Sequence, residues 1–248
     1  MRYFAELSYQ GTNYFGWQKQ PGQVSVQETL EQAFSTILGV PVAFTGCGRT
    51  DTGVHARQYF AHFDCETAFP DAFERRLNKF LPPDIAIHRI VEVHPEAHAR
   101  FDAYQRSYEY HLSFHKMPFE QHTCYWYGHP ARPDRDLMQA AANLLTDYQE
   151  FFPFCKSEAA AKTMHCELTR AEWVFDDETD RWVLHITANR FLRGMVRLIV
   201  GMCLNVGLGK TSIEEVRHAL DTQTLLKKSQ SAPPQGLFLT EVLYPYPV

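Results

Sequence analysis

The chain has 248 residues, of which 45% are hydrophobic, 21% charged and 14% aromatic. That is the composition of a folded protein with a sizeable core, not of a disordered, collagen-like or disulfide-stapled chain. Lys and Arg number 24 against 29 Asp and Glu, for a formal net charge of −5, which argues against a general nucleic-acid coat and confines any RNA site to a local basic patch. The start, Met1-Arg2-Tyr3-Phe4-Ala5-Glu6, puts charge inside what would be the apolar stretch of a signal peptide. The most apolar segment, residues 191–208, is cut by Arg193 and Arg197 and falls short of the roughly 20 apolar residues a spanning helix needs. A cytoplasmic protein that does not cross a membrane is expected.

Residues 2–9 are rich in aromatic and apolar side chains and end at the turn signal Gly11-Thr12-Asn13, which predicts a strand. Ser25 as N-cap, with Glu28 as its capping-box partner, opens a helix bearing Val26, Leu30, Phe34 and Ile37 that Gly39 stops. Two strands are expected at 41–47 and 57–64, the second alternating Tyr59, Ala61 and Phe63 with Gln58, Phe60 and His62. Asp71 with Glu74 opens a second helix carrying Phe73, Leu77 and Phe80; Pro82-Pro83 closes it, and a strand resumes over 85–93.

A second round then begins, with a strand over 106–114, a helix over 134–145, strands near 168–175 and 182–188, and a helix from Phe191. Aligned without gaps, residues 3–9 and 108–114 share Tyr, Leu, Ser and a terminal aromatic. The expected fold class is therefore α+β: two similar halves, residues 1–100 and 101–248, with antiparallel sheets side by side and helices on one face. Six scattered cysteines, with no C-x-x-C pair and no histidine at zinc-ligand spacing, predict packed, reduced thiols and no metal site. Candidate basic patches are Arg75/Arg76/Lys79, Arg100/Arg106, Arg190/Arg193/Arg197 and Lys227/Lys228.

The turn Gly46-Cys47-Gly48-Arg49-Thr50-Asp51-Thr52-Gly53-Val54-His55 sets one carboxylate among glycines, between two strands. Glycines let a backbone approach a ligand closely. Arg49 is placed to hold the carboxylate ionised or to grip a phosphate, and a fixed, ionised Asp is a nucleophile or base. The same residues also read as an Asx-turn, with Asp51 capping the loop and Arg49 as its surface partner. Asp51-Thr52-Gly53 is in addition the triplet of aspartic proteases, but a carboxylate dyad needs two such loops. Only one exists, so that reading demands a symmetric dimer, and Arg49 would oppose the sharing of a proton.

Residues 48–56 resemble the catalytic-loop signature of the A-type tRNA pseudouridine synthase family nearly residue for residue. Further blocks resemble that family in its order: Tyr14-Phe15-Gly16-Trp17-Gln18-Lys19-Gln20 followed by residues 26–31, Ala99-Arg100-Phe101-Asp102-Ala103, residues 106–110, residues 191–197 and residues 232–239. Two positions depart from the pattern, Thr52 where Ala is more frequent and Lys116 where Arg is usual. Lys for Arg loses bidentate phosphate geometry, so these changes bear on substrate position or affinity and not on reaction type.

The resemblance implies isomerisation of uridine to pseudouridine at positions 38, 39 and 40 of the anticodon arm of tRNA. It implies no cofactor, a homodimer, and a catalytic cleft across the joint of the two halves. Asp51 is implied as the catalytic carboxylate, with Arg49 and Arg197 supplying positive charge. For Arg197 a pairing with Asp51 competes with a lone charge snorkelling from an apolar helix face, and the expected spacing of Arg193 and Arg197, one helical turn apart, favours pairing. Tyr108 matches the tyrosine that packs on the target base, which must leave its stack to be reached. By strand pattern alone Tyr108 and Tyr110 are two same-face core aromatics. Leu237 or Leu239 is expected to wall the uracil pocket, with plain core as the competing role. A non-catalytic RNA-binding module of the same architecture has no need of Asp51.

Overall fold

The structure is a computed structural model that describes residues 1–156 and 163–248. These residues form two compact units, Met1–Gln105 with Phe238–Val248, and Arg106–Leu237. Each is α+β.

The first unit runs β1 (Arg2–Tyr9), α1 (Val26–Leu38), β2 (Thr45–Gly46), β3 (His55–Asp64), α2 (Phe73–Phe80) and β4 (Ile85–Val93). Strand β1 lies between β3 and β4 and is antiparallel to both. Helix α1 starts where the Ser25 hydroxyl accepts from the Glu28 N–H at 3.2 Å and stops at Gly39, which takes the left-handed conformation at φ 71°. Phe34 of α1 meets Phe44, Phe63 and Phe73 at ring-centroid distances of 4.8, 5.2 and 5.4 Å, so α1, α2 and one face of β3 share a core. The expected alternation along β3 is overridden. Tyr59, Phe60, Ala61, His62 and Phe63 are all buried, because Tyr244 covers the other face against Phe4 and Phe60.

The strand expected at 41–47 shrinks to the two residues of β2. Its backbone donors are taken by α1, Val42 N–H bonding Ser35 Oγ at 2.9 Å and Phe44 N–H bonding Glu31 Oε1 at 3.2 Å, and donors so used cannot join a ladder. Helix α2 is not capped by Asp71: it begins after Ala72, which sits at φ 53° with no side-chain cap bond.

The second unit contains β5 (Gln105–Ser113, whose first residue belongs to the first unit), β6 (Tyr125–Trp126), α3 (Arg135–Leu144), β7 (Leu168–Asp176), β8 (Arg181–Ala188), α4 (Met195–Gly207) and α5 (Ile213–Thr222). Strand β8 pairs antiparallel with β5 and with β7. Asp134 caps α3 through the Leu137 N–H at 2.9 Å. Helix α4 is apolar on nearly every side because it is buried, and a Cβ on Gly201 would stand 1.8 Å from the Gln230 carbonyl oxygen that crosses it. It begins at Met195 after Gly194 at φ 72°, so Arg193 precedes the helix and is not one helical turn from Arg197. Helix α5 was not expected, although a reciprocal capping box marks its start: Glu215 N–H to Ser212 Oγ at 3.1 Å and Ser212 N–H to Glu215 Oε2 at 2.8 Å.

Strand β9 (Leu237–Leu243) opens with the last residue of the second unit and continues in the first, parallel to β3 with His55 opposite Phe238 and Ala56 opposite Leu239. All six cysteines are buried thiols outside any disulfide. Burial pushes the Cys124 and Cys166 thiols up to about 11 and that of Cys203 up to about 12, which keeps them protonated and inert near neutrality. No helix among the described residues is long and apolar enough to cross a membrane.

Candidate active site

In the first unit the loop before β3 is held by main-chain hydrogen bonds together with side-chain bonds from its aromatic neighbours. The Asp51 carbonyl accepts from the Val54 N–H at 3.1 Å with Gly53 at φ 77°, so the turn around Asp51 is closed by its own backbone. The Gly53 N–H reaches the Tyr14 carbonyl at 3.4 Å and the Trp17 N–H reaches the Thr50 carbonyl at 3.3 Å. Thr50, buried, shares a 2.8 Å hydroxyl bond with Tyr9.

Behind these bonds stands an aromatic wall. Trp17 stacks on Tyr59 at 4.2 Å and Tyr9 meets Tyr59 edge-on at 5.5 Å. Tyr14 donates its hydroxyl to Asp84 at 2.6 Å, and burial followed by that bond drives the phenol pKa upward. Two glycines make the approach possible: a Cβ on Gly11 would stand 2.0 Å from the Val54 oxygen, and one on Gly16 would stand 2.3 Å from the Thr50 oxygen. On the far side of the loop, buried His55 accepts from the Gly11 N–H at 2.9 Å and its ring lies 4.6 Å from that of Phe238. Asp51 is half-buried on this hydrogen-bonded turn, between the exposed side chains of Arg49 and Thr52. Arg49 makes no ion pair among the described residues, which leaves its guanidinium available to an anion.

The second unit gathers Tyr108, Tyr110, Arg197 and Leu237. Tyr108 is half-buried on β5, with the Phe191 ring edge-on at 5.1 Å. Tyr110 is fully buried and donates to the Pro233 carbonyl at 2.9 Å, and burial raises its pKa well above the usual range. The two tyrosines, alike by strand pattern, thus part company: Tyr110 is core and Tyr108 keeps accessible surface. Arg197 does not snorkel free. It is half-buried, donating Nε to the Ala232 carbonyl at 2.6 Å while its own carbonyl accepts from the Ala232 N–H at 2.9 Å. Gly236 lets the chain pass the Tyr110 ring, since a Cβ there would stand 2.9 Å from Tyr110 Cζ, and it delivers buried Leu237. Lys116 is exposed, its ammonium 5.6 Å from the centroid of the Trp126 ring.

Among the basic patches, Arg75, Arg76 and Lys79 are exposed on α2 and make no ion pair among the described residues, whereas Arg2 and Arg89 are paired with Asp64 and Glu6. Arg106 is buried and spends a guanidinium donor on the Asn189 carbonyl at 2.9 Å, so it is no part of a surface patch. Lys227 and Lys228 are exposed, Lys228 donating to the Lys210 carbonyl at 2.8 Å. Sequence reasoning left the brace of Tyr9, Gly11, Tyr14, Gly16 and Trp17 without a role. Its signal was the compact aromatic and glycine block at 14–17.

A family profile described as tRNA pseudouridine synthase matches residues 5–102 and 145–245. A tRNA pseudouridine synthase A of Porphyromonas gingivalis is 45% identical over 251 residues, 98% of this chain and 97% of that protein. Its counterpart in Parabacteroides distasonis is 43% identical over 246 residues, 98% of this chain and 96% of that protein. The similarity extends to Caldicellulosiruptor bescii, at 36% over 239 residues, 96% of this chain and 97% of that protein. These matches run through the Asp51 loop, its brace and the Arg197 helix alike, and they set aside the protease reading of Asp51-Thr52-Gly53: the chain belongs to the tRNA pseudouridine synthase family, whose members are isomerases.

Proposed function

We propose that the protein converts uridine to pseudouridine at positions 38, 39 and 40 of the anticodon arm of tRNA, with Asp51 as the catalytic carboxylate. The observation that carries this reading is the Asp51 loop itself: a half-buried carboxylate on a turn closed by main-chain bonds and backed by a buried aromatic wall. Such a turn holds the carboxylate in place before substrate arrives, so little ordering remains for the reaction step.

Product and substrate are isomers. The C1′–N1 bond breaks, the uracil turns within its pocket, C5 bonds C1′, and the proton lost from C5 is balanced by one gained at N1. Nothing is oxidised or reduced and no group is supplied, so the chemistry calls for no cofactor. It calls for a carboxylate to attack C1′ or C6, or to take a proton from C2′, and for walls that retain the freed base. In this reading Tyr108, which keeps accessible surface beside Phe191, packs on the extruded uracil and recovers part of the few kcal/mol of unstacking. Leu237 walls the pocket. Arg197 supplies positive charge for the carboxylate, and the exposed Arg49 grips the RNA phosphates.

The enzyme acts in the cytoplasm as a homodimer, each tRNA spanning both subunits so that the part of the tRNA outside the cleft is held as well. Incubation with unmodified tRNA transcripts, followed by mapping of pseudouridine, tests the reading. Pseudouridine at 38, 39 or 40 supports it, modification elsewhere removes the anticodon-arm assignment, and none at any position removes the activity.

A further inference from the structure

The block Tyr14-Phe15-Gly16-Trp17 holds three aromatic rings that the structure treats differently. Tyr14 and Trp17 are buried, at 4% and 2% exposure, while Phe15 between them is 46% exposed. Single exposed aromatics are ordinary on protein surfaces. What distinguishes Phe15 is where its backbone is held. The residue before it accepts the Gly53 N–H, and the residue after it packs so close to Asp51 that a Cβ would stand 3.2 Å from the Asp51 carbonyl carbon. The polar groups of Phe15 are themselves engaged, its N–H with the Val24 carbonyl at 2.9 Å and its carbonyl with the Gln20 amide at 3.4 Å.

The ring is therefore presented from a fixed backbone, one residue from the wall of the catalytic turn. A turn that carries the exposed cation Arg49, without an ion pair among the described residues, suits a phosphate beside that ring. Bases stack on exposed aromatic faces without regard to sequence, and extruding one nucleotide from an RNA strand leaves its neighbour with an uncovered face.

We infer that Phe15 is a substrate-positioning residue: its ring stacks on the nucleotide flanking the target uridine and holds the strand open at the mouth of the Asp51 turn. The inference rests on the proposed pseudouridine synthase reading. It adds a contact outside the uracil pocket, one that tolerates different flanking bases.

The test uses the full-length protein and a tRNA transcript carrying 2-aminopurine beside the uridine that mapping finds modified. Wild-type protein should quench the 2-aminopurine on binding. Phe15→Leu should lose most of the quench and raise KM for tRNA about tenfold, the worth of one stacked base, with the effect falling on KM more than on kcat. Phe15→Trp should restore both, a rescue that mere packing would not explain. Thermal melting of the variants reports folding separately, and should Phe15→Leu fail to fold, wild-type protein with 5-iodouridine at the flanking position should cross-link through the peptide that contains Phe15. An unaltered quench and KM in folded Phe15→Leu, an equal loss in Phe15→Trp, a change in oligomeric state without a change in quench, or cross-linking elsewhere would overturn the inference. A wild-type protein that modifies no uridine would instead overturn the functional reading, so the two failures are distinguishable.

Discussion

Gly16 packs against Thr50, the residue before Asp51: a Cβ on Gly16 would stand 2.3 Å from the Thr50 carbonyl oxygen, and Gly16 holds φ at +84°. Space and backbone conformation both exclude a side chain here. Gly16→Ala must push the Asp51 turn away, and with Asp51 as the proposed catalytic carboxylate a shift of about 1 Å is enough to cost about a hundredfold in rate. Gly22 is the control, at φ +72° with nothing within 4 Å of a Cβ; Gly22→Ala carries the conformational penalty alone, about 1 kcal/mol. Steady-state kinetics beside urea unfolding should show Gly16→Ala losing about a hundredfold or more in kcat/KM and Gly22→Ala keeping near-normal kinetics. Equal kinetics in the two variants would contradict the brace.

His62 predicts a pH dependence of stability. It is 7% exposed, its Nδ1 accepts from the Ala99 N–H at 3.1 Å, and its ring lies 4.7 Å from that of His98. Burial, then His98 and Arg2, lower its pKa to about 4 against the opposing pull of Asp64 and Asp102. An unfolded His titrates near 6.5, so between about 4 and 6.5 the unfolded chain binds the proton more readily. The contribution of neutral His62 is complete above pH 6.5 and is lost as pH falls through that window, up to about 3 kcal/mol in all. Asp64 and Asp102, lowered by bonds from Arg2 and Tyr246, lose their contributions only at more acid pH. Urea unfolding from pH 7.5 to 5 should show falling stability, and His62→Gln, whose amide oxygen can still accept from Ala99, should flatten the fall. The share of His185, also lowered by burial, remains in the variant. An identical slope in the variant would contradict the assignment.

Local pattern revealed much of this fold. Strands β1 and β4 and helix α1 are written in apolar spacing and, for α1, in the Ser25 cap. Local pattern misleads where a distant partner decides. Residues 41–47 look like a strand until Ser35 and Glu31 claim their donors, and β9 exists through its pairing with His55 and Ala56. Helix α5 carries a local signal, Ser212 with Glu215, in a stretch less apolar than α1. At the site, the position of Asp51 was readable from its block. Its support was not, because the bonds that make it, Tyr9 with Thr50 and Gly11 with His55, join residues 41 and 44 apart. The same holds for Arg197, fixed by Ala232 35 residues away.

Helix α2 predicts a salt dependence. Arg75, Arg76 and Lys79 stay exposed without ion pairs among the described residues in a chain of net charge −5, and the turn after the helix is tied to the brace of the Asp51 turn through Asp84 and Tyr14. Phosphate contacts release counterions, so tRNA affinity should fall steeply with salt. Replacing Arg76 with Gln should weaken binding of all tRNAs alike and flatten the plot of log affinity against log salt by about one unit. An unchanged slope would place the RNA backbone elsewhere, Lys227 and Lys228 being the next candidates.

The most direct measurement of the central claim compares wild-type protein with Asp51→Asn on the same unmodified tRNA, reading pseudouridine formation and tRNA binding side by side. Asn is isosteric and suits turn conformations, so the main-chain turn closed between Asp51 and Val54 should persist. The charge that attacks or takes a proton does not persist. The account predicts tRNA affinity within a few-fold of wild type and product formation reduced by several orders of magnitude, whereas Thr52→Ala, at an exposed neighbouring side chain, should cost about tenfold or less. Near-normal pseudouridine formation by Asp51→Asn would contradict the account.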